Sequence, residues 1–310
     1  MHDLIIIGAG PAGLTAALYA GRFRLDTVVL EKINIGGQIV SSPTIDNFPG
    51  FPGGIGTSDL IERMKKQVDE LDVMVMMEEA QEIIARQDAA GRQTYKIKIC
   101  DKTLEAKSII IASGAQPKKL GVEGENRLIG RGVSYCGTCD APLFRNKEVV
   151  VIGGGDRAVE EAIFLTSYAK RVTIVHRRQE FRASKVLEEK IKSNPKINFI
   201  LDSVIEEITG QNRVEAVRIK NVKDNHFTDF TCDGLFIFVG IKPNTEFTKN
   251  LLNMSDAGFI ITQPDLSTSQ AGIFACGDCL EKNLYQVVSA CGEGATAADS
   301  AYKYLLTLKG

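Results

Sequence analysis

The chain has 310 residues, 44% of them apolar and 25% charged, and its 37 Lys plus Arg nearly balance its 39 Asp plus Glu, for a formal net charge of −2. At roughly 150 residues per domain this corresponds to about two domains, each able to bury a core, and the composition excludes a largely disordered chain. The even charge gives no electrostatic pull toward nucleic acid or an anionic membrane, and no apolar run approaches the ~18 residues of a membrane span.

Only Met1, His2 and Asp3 precede the apolar run 4–7, which stops at Gly8 and is too short for a secretory h-region, so a cytoplasmic location is expected. The seven cysteines are then expected to be reduced structural thiols, metal ligands or redox catalysts, not a disulfide scaffold. The run 4–7 reads as a strand buried on both faces. It leads into Gly8-Ala9-Gly10-Pro11-Ala12-Gly13, and a helical pattern covers 14–20. In this GxGxxG turn the first glycine permits the tight bend. The second lets backbone approach a pyrophosphate, and the third position must be small for the helix to pack on the strand. The pyrophosphate then meets free N–H groups at a helix N-terminus. A ribose contact is expected about 20 positions on, after the second strand. The strand-like run 27–30 puts Glu31 there, and Lys32 beside it.

Short alternating strands follow, with 94–99 after Gly91, and a strand at 109–111 leaves through Gly114-Ala115-Gln116-Pro117. Next comes Cys136-Gly137-Thr138-Cys139-Asp140. A disulfide across two residues closes too small a loop to staple a fold, so the pair reads as redox chemistry, with Asp140 able to relay a proton. The first fingerprint then recurs. Apolar 149–152 meets Gly153-Gly154-Gly155-Asp156-Arg157-Ala158, a helix follows over 159–165, and the strand 172–175 ends at His176-Arg177-Arg178. A carboxylate accepts from a ribose diol and repels a 2′-phosphate, whereas guanidiniums grip one bidentately. The first copy is therefore expected to hold FAD or NAD, and the second NADPH.

The second copy also has alternating strands, 214–219 after Gly210, and exits at 235–239 through Gly240-Ile241-Lys242-Pro243. Proline fixes φ and favours extended backbone before it, so both exits read as linkers. The fold class predicted is α/β: two Rossmann-like three-layer dinucleotide-binding domains, each with a small β-meander, the second inserted in the first. The domains are 1–114 plus 244–310, for FAD, and 115–243, for NADPH and the redox CxxC. Two adjacent linkers make a natural hinge. A second CxxC, Cys276-Gly277-Asp278-Cys279, follows the strand 272–275. Four thiolates could bind zinc, but zinc ribbons separate their pairs by about 15–20 residues. Cys276 and Cys279 read better as small buried hydrophobes. Cys100, Cys232 and Cys291 read as core or partly buried thiols.

The ordered set of motifs resembles the low-molecular-weight thioredoxin reductases over essentially the whole chain. Matching stretches include Gly36-Gly37-Gln38, Asp46-Asn47-Phe48-Pro49-Gly50, the first CxxC with Asp140, Ala158-Val159-Glu160-Glu161, Phe181-Arg182 and Ala275-Cys276-Gly277-Asp278. The resemblance implies that Cys139 lies against the flavin, that Cys136 exchanges with thioredoxin or a similar protein, and that Asp140 is the acid–base. It implies an FAD site of Gly8, Gly10, Pro11, Ala12, Gly13, Glu31, Lys32, Gly37, Gln38, Asn47, Gly277, Asp278, Gln286 and Val287. It implies an NADPH site of Gly153, Gly155, Asp156, Arg157, His176, Arg177, Arg178 and Arg182. It also implies a homodimer whose NADPH domain swings between two poses. This chain departs from the usual pattern at Tyr285-Gln286-Val287 (usually Arg-Gln-Ala), Arg157, Cys279 and Ser113. The rival readings are a related flavoenzyme fed by ferredoxin, a small-molecule dithiol oxidase and a nonenzymatic flavin-binding redox sensor.

Overall fold

The computed structural model describes residues 1–41, 44–45, 47–89 and 91–308, and the chain divides into two compact units, 1–116 with 242–310, and 117–241. In the first unit β1 (His2–Ile7) passes through the glycine turn into α1 (Pro11–Arg22) and β2 (Thr27–Leu30). A small ribbon, β3 (Thr44–Ile45) with β4 (Ile55–Gly56), precedes α2 (Thr57–Asp69) and β5 (Met74–Met76). Then β6 (Ala80–Gln87), β7 (Gln93–Ile99) and β8 (Lys102–Ile111) run antiparallel. Strand β8 serves two partners in turn. Up to Ala106 it pairs with β7, and from Ala106 onward it lies parallel to β1. β19 (Ile273–Ala275) adds to its other edge, giving the parallel order β5-β2-β1-β8-β19. Ile5, Ile6 and Ile109 to Ile111 are all 0% exposed, which explains why these strands are continuous apolar runs.

The last helix, α7 (Val287–Thr307), lies along α1 through small side chains: Ala12, Ala16, Ala17 and Ala20 on one, Ala290, Ala297, Ala298 and Ala301 on the other. The approach is close enough that a Cβ at Gly294 would meet Ala12 O at 2.2 Å.

The second unit opens with α3 (Glu125–Leu128), β10 (Val133–Ser134) and the one-turn α4 (Gly137–Asp140). It continues with β11 (Glu148–Ile152), α5 (Asp156–Leu165), β12 (Arg171–Val175), α6 (Lys185–Ser193) and β13 (Ile197–Ile200). The meander β14 (Ser203–Thr209), β15 (Ala216–Asn221), β16 (Phe227–Thr231) leads to β17 (Gly234–Ile237). The parallel order is β10-β17-β11-β12-β13. Alternation along β11 sets the layers. Val149 and Val151 face a cluster containing Val159, Ala162 and Leu165 of α5 and Ile191 of α6, while Val150 and Ile152 face Ile205, Ile208, Val217 and Ile219 of the meander. Helices, parallel sheet and meander are thus three stacked layers. β15 starts at Ala216, two residues past the expected start, because Val214 N–H is taken by Arg131 O in the turn before it. The two crossing segments, β9 (Ala115–Pro117) and β18 (Ile241–Pro243), pair with each other.

Candidate active site

In the first cradle, Gly8 has φ +108°, and the α1 side is tighter still: a Cβ at Gly13 would lie 1.8 Å from Gly8 O. Gly10 caps α1 with Pro11 at its first turn, and Gly36 N–H donates to Ala9 O at 2.8 Å, drawing Gly37 up to Gly10. Glu31, only 9% exposed, directly follows β2 with its carboxylate in the turn, accepting from Ala9 N–H at 2.8 Å and Ile33 N–H at 2.9 Å. A carboxylate offers about four acceptor positions, so two stay available for a diol. Gly277 approaches Ala12, where an added Cβ would lie 2.9 Å from the alanine methyl, and its N–H donates to Glu293 Oε2 at 2.7 Å. Lys282 bridges that carboxylate (2.9 Å) and Asp278 (3.4 Å).

Asn47 Nδ2 donates to Gln286 Oε1 at 2.9 Å; Gln286 caps α7 and is followed by the buried Val287. Gln38 lies in a 3₁₀ turn (Gly37–Ser41), and Lys32 makes an exposed ion pair with Glu79 at 3.0 Å. Asp46 lies outside the described residues. Tyr285, where the usual pattern has arginine, places its hydroxyl 3.3 Å from Lys282 N–H, which donates to it, and its ring against Phe259.

The second cradle repeats the turn with other chemistry. Gly153 (φ +147°) is hemmed in by Phe238 O and Ala158, Gly155 caps α5, and a Cβ at Gly155 would meet nothing within 4 Å. The register Ile7↔Leu30 and Ile152↔Val175 puts His176 where Glu31 stands in the first. Its ring lies under Gly154 and stacks on Phe181 at 5.4 Å, and Nε2–H donates to Glu180 O at 3.2 Å. Burial lowers its pKa, and Arg182, Arg177 and Arg178 lower it further, so the ring is uncharged at neutral pH. Those three arginines are exposed, and Arg182 N–H donates to Gly154 O at 2.6 Å, tying the arginine loop to the glycine turn. Asp156 accepts from Ser184 N–H at 2.7 Å, and Arg157 lies over the Phe238 ring at 5.8 Å.

Cys136 and Cys139 form a disulfide, Cα–Cα 5.4 Å, across the start of α4, with Cys139 N–H donating to Cys136 Sγ at 3.2 Å. Ser134 Oγ donates to Asp140 Oδ2 at 2.6 Å and accepts from Cys136 N–H at 3.1 Å. Asp140 Oδ1 is buried without a hydrogen-bond partner. Burial pushes this carboxyl's pKa up and the Ser134 bond only partly offsets it, so Asp140 can hold a proton beside the sulfurs. A second carboxyl, Glu161 on α5, also places a buried oxygen without a partner against the turn.

Cys276 and Cys279 are fully buried free thiols, and burial pushes Cys279 up to about 12. Among the described residues no three His, Cys, Asp or Glu side chains group to suit a metal. Cys232 is buried and Cys291 half-buried, but Cys100 is exposed, against expectation, because it sits at φ +31° in the tight turn joining β7 and β8. Ser134, Lys282 and Glu293 were not singled out from sequence. Glu161 carried a signal that periodicity could have found: it lies three residues after buried Ala158, on an otherwise apolar stripe with Val159, Ala162 and Leu165.

Residues 2–294 match the Pyridine nucleotide-disulphide oxidoreductase family. Similar proteins are a thioredoxin reductase of Peptoclostridium acidaminophilum, 43% identical over 98% of this chain and 97% of that one, and a thioredoxin reductase of Listeria monocytogenes, 41% identical over 100% and 95%. The crystal structure of thioredoxin reductase from Streptococcus pyogenes is 42% identical, covers 99% of each chain and superposes with a TM-score of 0.90.

Proposed function

The chain belongs to the pyridine nucleotide-disulphide oxidoreductases and, within them, to the low-molecular-weight thioredoxin reductases, and from that premise we propose how its residues divide the reaction. The enzyme uses FAD and NADPH to reduce the disulfide of thioredoxin through the Cys136–Cys139 pair. The observation that carries the reading is that pair, capping a helical turn beside a buried carboxyl raised in pKa, in the unit that also bears the arginine-lined cradle.

Residues 1–114 and 244–310 hold FAD, and 115–243 hold NADPH. The first cradle fits FAD because the spare acceptors of Glu31 suit an unphosphorylated ribose and Gly10 leaves the α1 N-terminus free of side chains. Gly8, Pro11, Ala12, Gly13, Lys32, Gly37, Gln38, Asn47, Gly277, Asp278, Gln286 and Val287 complete that site. The second fits NADPH because Gly155 leaves its approach open and Arg177, Arg178 and Arg182 can clamp a 2′-phosphate. Gly153, Asp156, Arg157 and His176 complete it. When bound, the two cofactors supply hydride transfer and the electron pair that opens the disulfide.

The polypeptide does the rest. Once the pair is reduced, Cys136 as thiolate attacks the thioredoxin disulfide and forms a mixed disulfide, releasing one thioredoxin thiolate. Cys139 then attacks Cys136, restoring the internal disulfide and freeing the second thiolate. Asp140 holds and returns a proton as the pair opens and closes. Because Asp140 acts in its protonated form, thioredoxin reduction falls as pH rises through its raised pKa. The working form is a homodimer in the cytoplasm; no described helix is long and apolar enough to cross a membrane.

The test is Cys136→Ser, assayed anaerobically. NADPH still bleaches the flavin absorption, while thioredoxin reduction falls at least about a thousandfold, the scale of losing a covalent nucleophile. Wild-type turnover by this variant would overturn the assignment. Failure of NADPH to bleach the wild-type flavin would point to a ferredoxin-type donor instead.

A further inference from the structure

The α4 turn has carboxyls at both ends. Asp140 closes it, and Glu161 approaches its start from α5, so near that a Cβ on Gly137 would lie 2.2 Å from Glu161 Oε2. That oxygen is buried and has no hydrogen-bond partner, while Thr138 N–H donates to the carboxyl. Cys136 is the N-cap of the turn, so its sulfur and the Glu161 carboxyl draw on the same small set of α4 N–H groups. Cys139 N–H serves the sulfur at 3.2 Å, and Thr138 N–H serves the glutamate. Two anions sharing one helical turn are coupled: ionising either raises the pKa of the other.

We propose that Glu161 is a positioning residue that keeps Cys136 protonated after the disulfide opens, acting through its charge on the shared turn. The equilibrium concerned is Cys136–SH giving Cys136–S⁻ and a proton. With Glu161 ionised, that proton is held to higher pH, so the resting dithiol is less nucleophilic than a bare N-cap cysteine would be. The proposal rests on Cys136–Cys139 being the redox couple.

The surrounding charges leave this role to Glu161. Burial raises the pKa of Glu161 and sets the net direction; on its own helix Arg157 favours its ionisation and Glu160 opposes it. On α4, Asp140 is bound to Ser134. The other helix against α5 keeps Lys185, Glu188 and Lys192 in an ion cluster of their own. Behind α5 in the sheet, Glu148 at the start of β11 pairs with Lys170, and Arg171 opens β12 exposed.

The test uses the flavin-loaded full-length protein carrying Cys139→Ser, in which Cys136 is a lone thiol. The rate of Cys136 alkylation by iodoacetamide is followed against pH by mass spectrometry of its peptide. Adding Glu161→Gln lowers the midpoint of that profile by about one pH unit, the scale of removing a neighbouring like charge, and the profiles converge in acid where Glu161 is protonated. Glu161→Asp, which keeps the charge, lies between. Gly137→Ala is a second route to the same end, because its methyl displaces the carboxyl from the turn while leaving the residue in place; its midpoint also falls. Superimposable profiles for the parent, Glu161→Gln and Gly137→Ala would overturn the proposal. A failure of the couple itself shows separately, as wild-type thioredoxin turnover by Cys136→Ser.

Discussion

The two glycine cradles are built on the same strand–turn–helix frame, and two of the positions at which they differ carry the contrast between them. Gly13 in the first corresponds to Ala158 in the second. The first helix lies so close that even one methyl would enter the Gly8 carbonyl, whereas the second has room for a methyl. Glu31 in the first corresponds to His176 in the second. The carboxylate is itself part of the turn, holding Ala9 and Ile33 N–H groups. The imidazole is a neutral platform under Gly154, with the exposed Arg177, Arg178 and Arg182 beside it. In the proposed division of labour, one cradle builds its selectivity into the packing of the turn and the other carries it on exposed side chains.

If that contrast is correct, the first cradle fails abruptly and the second degrades by steps. The largest effect is expected for Gly13→Ala. A methyl 1.8 Å from a carbonyl oxygen forces α1 off β1, at a cost of about 3 kcal/mol or more, as for a severe overpacking. The purified variant is expected to lose flavin on gel filtration. The mirror change Ala158→Gly costs only about 1 kcal/mol, the helix-propensity difference, and leaves NADPH binding intact. Flavin retained by Gly13→Ala would break the contrast. Next is the double variant Arg177→Ala, Arg178→Ala. Losing two charge-assisted contacts of about 1.5–3 kcal/mol each, moderated by solvent exposure, should raise KM for NADPH about a hundredfold and leave NADH nearly unchanged. An equal loss for both nucleotides would remove the 2′-phosphate from the account.

The smallest effect sharpens the contrast through pH. The folded pKa of His176 lies below its unfolded value. Its contribution to stability is therefore present above the unfolded pKa of about 6.5 and is lost as pH falls through that value toward the lowered one. The thermal midpoint of the second unit should drop less between pH 7.5 and 5.5 in His176→Asn than in the wild type, compared as slopes because the smaller side chain also leaves space under Gly154. Equal slopes would mean the ring carries its charge in the folded protein.

Much of this architecture was legible in the amino acids, because continuous apolar runs at 4–7 and 149–152 followed by fixed glycine spacing admit few folds. What could not be read depended on contacts distant in sequence. A helix through Gly292 and Gly294 contradicts local propensity, and at Gly294 the close approach of α1, with Ala12 O 2.2 Å from where a Cβ would be, admits no side chain. The three residues of β19 are too few for any periodicity, and their place follows only from the free edge of β8. At the site, the glycines, the CxxC and the positions of Glu31 and His176 after their strands follow from spacing. The roles of Ser134, Glu161 and the Lys282–Glu293 bridge depend on burial and angle, which no spacing encodes.

The seating of β19 and α7 has a consequence for how the molecule is made. The first cradle opens with β1 and the turn at Gly8, but its sheet edge and the helix that covers α1 are translated only after residue 272. The inserted unit, 117–241, is complete before then. A nascent chain can therefore close its second cradle while the first still waits, its apolar helix uncovered, for residues 273–307 to follow.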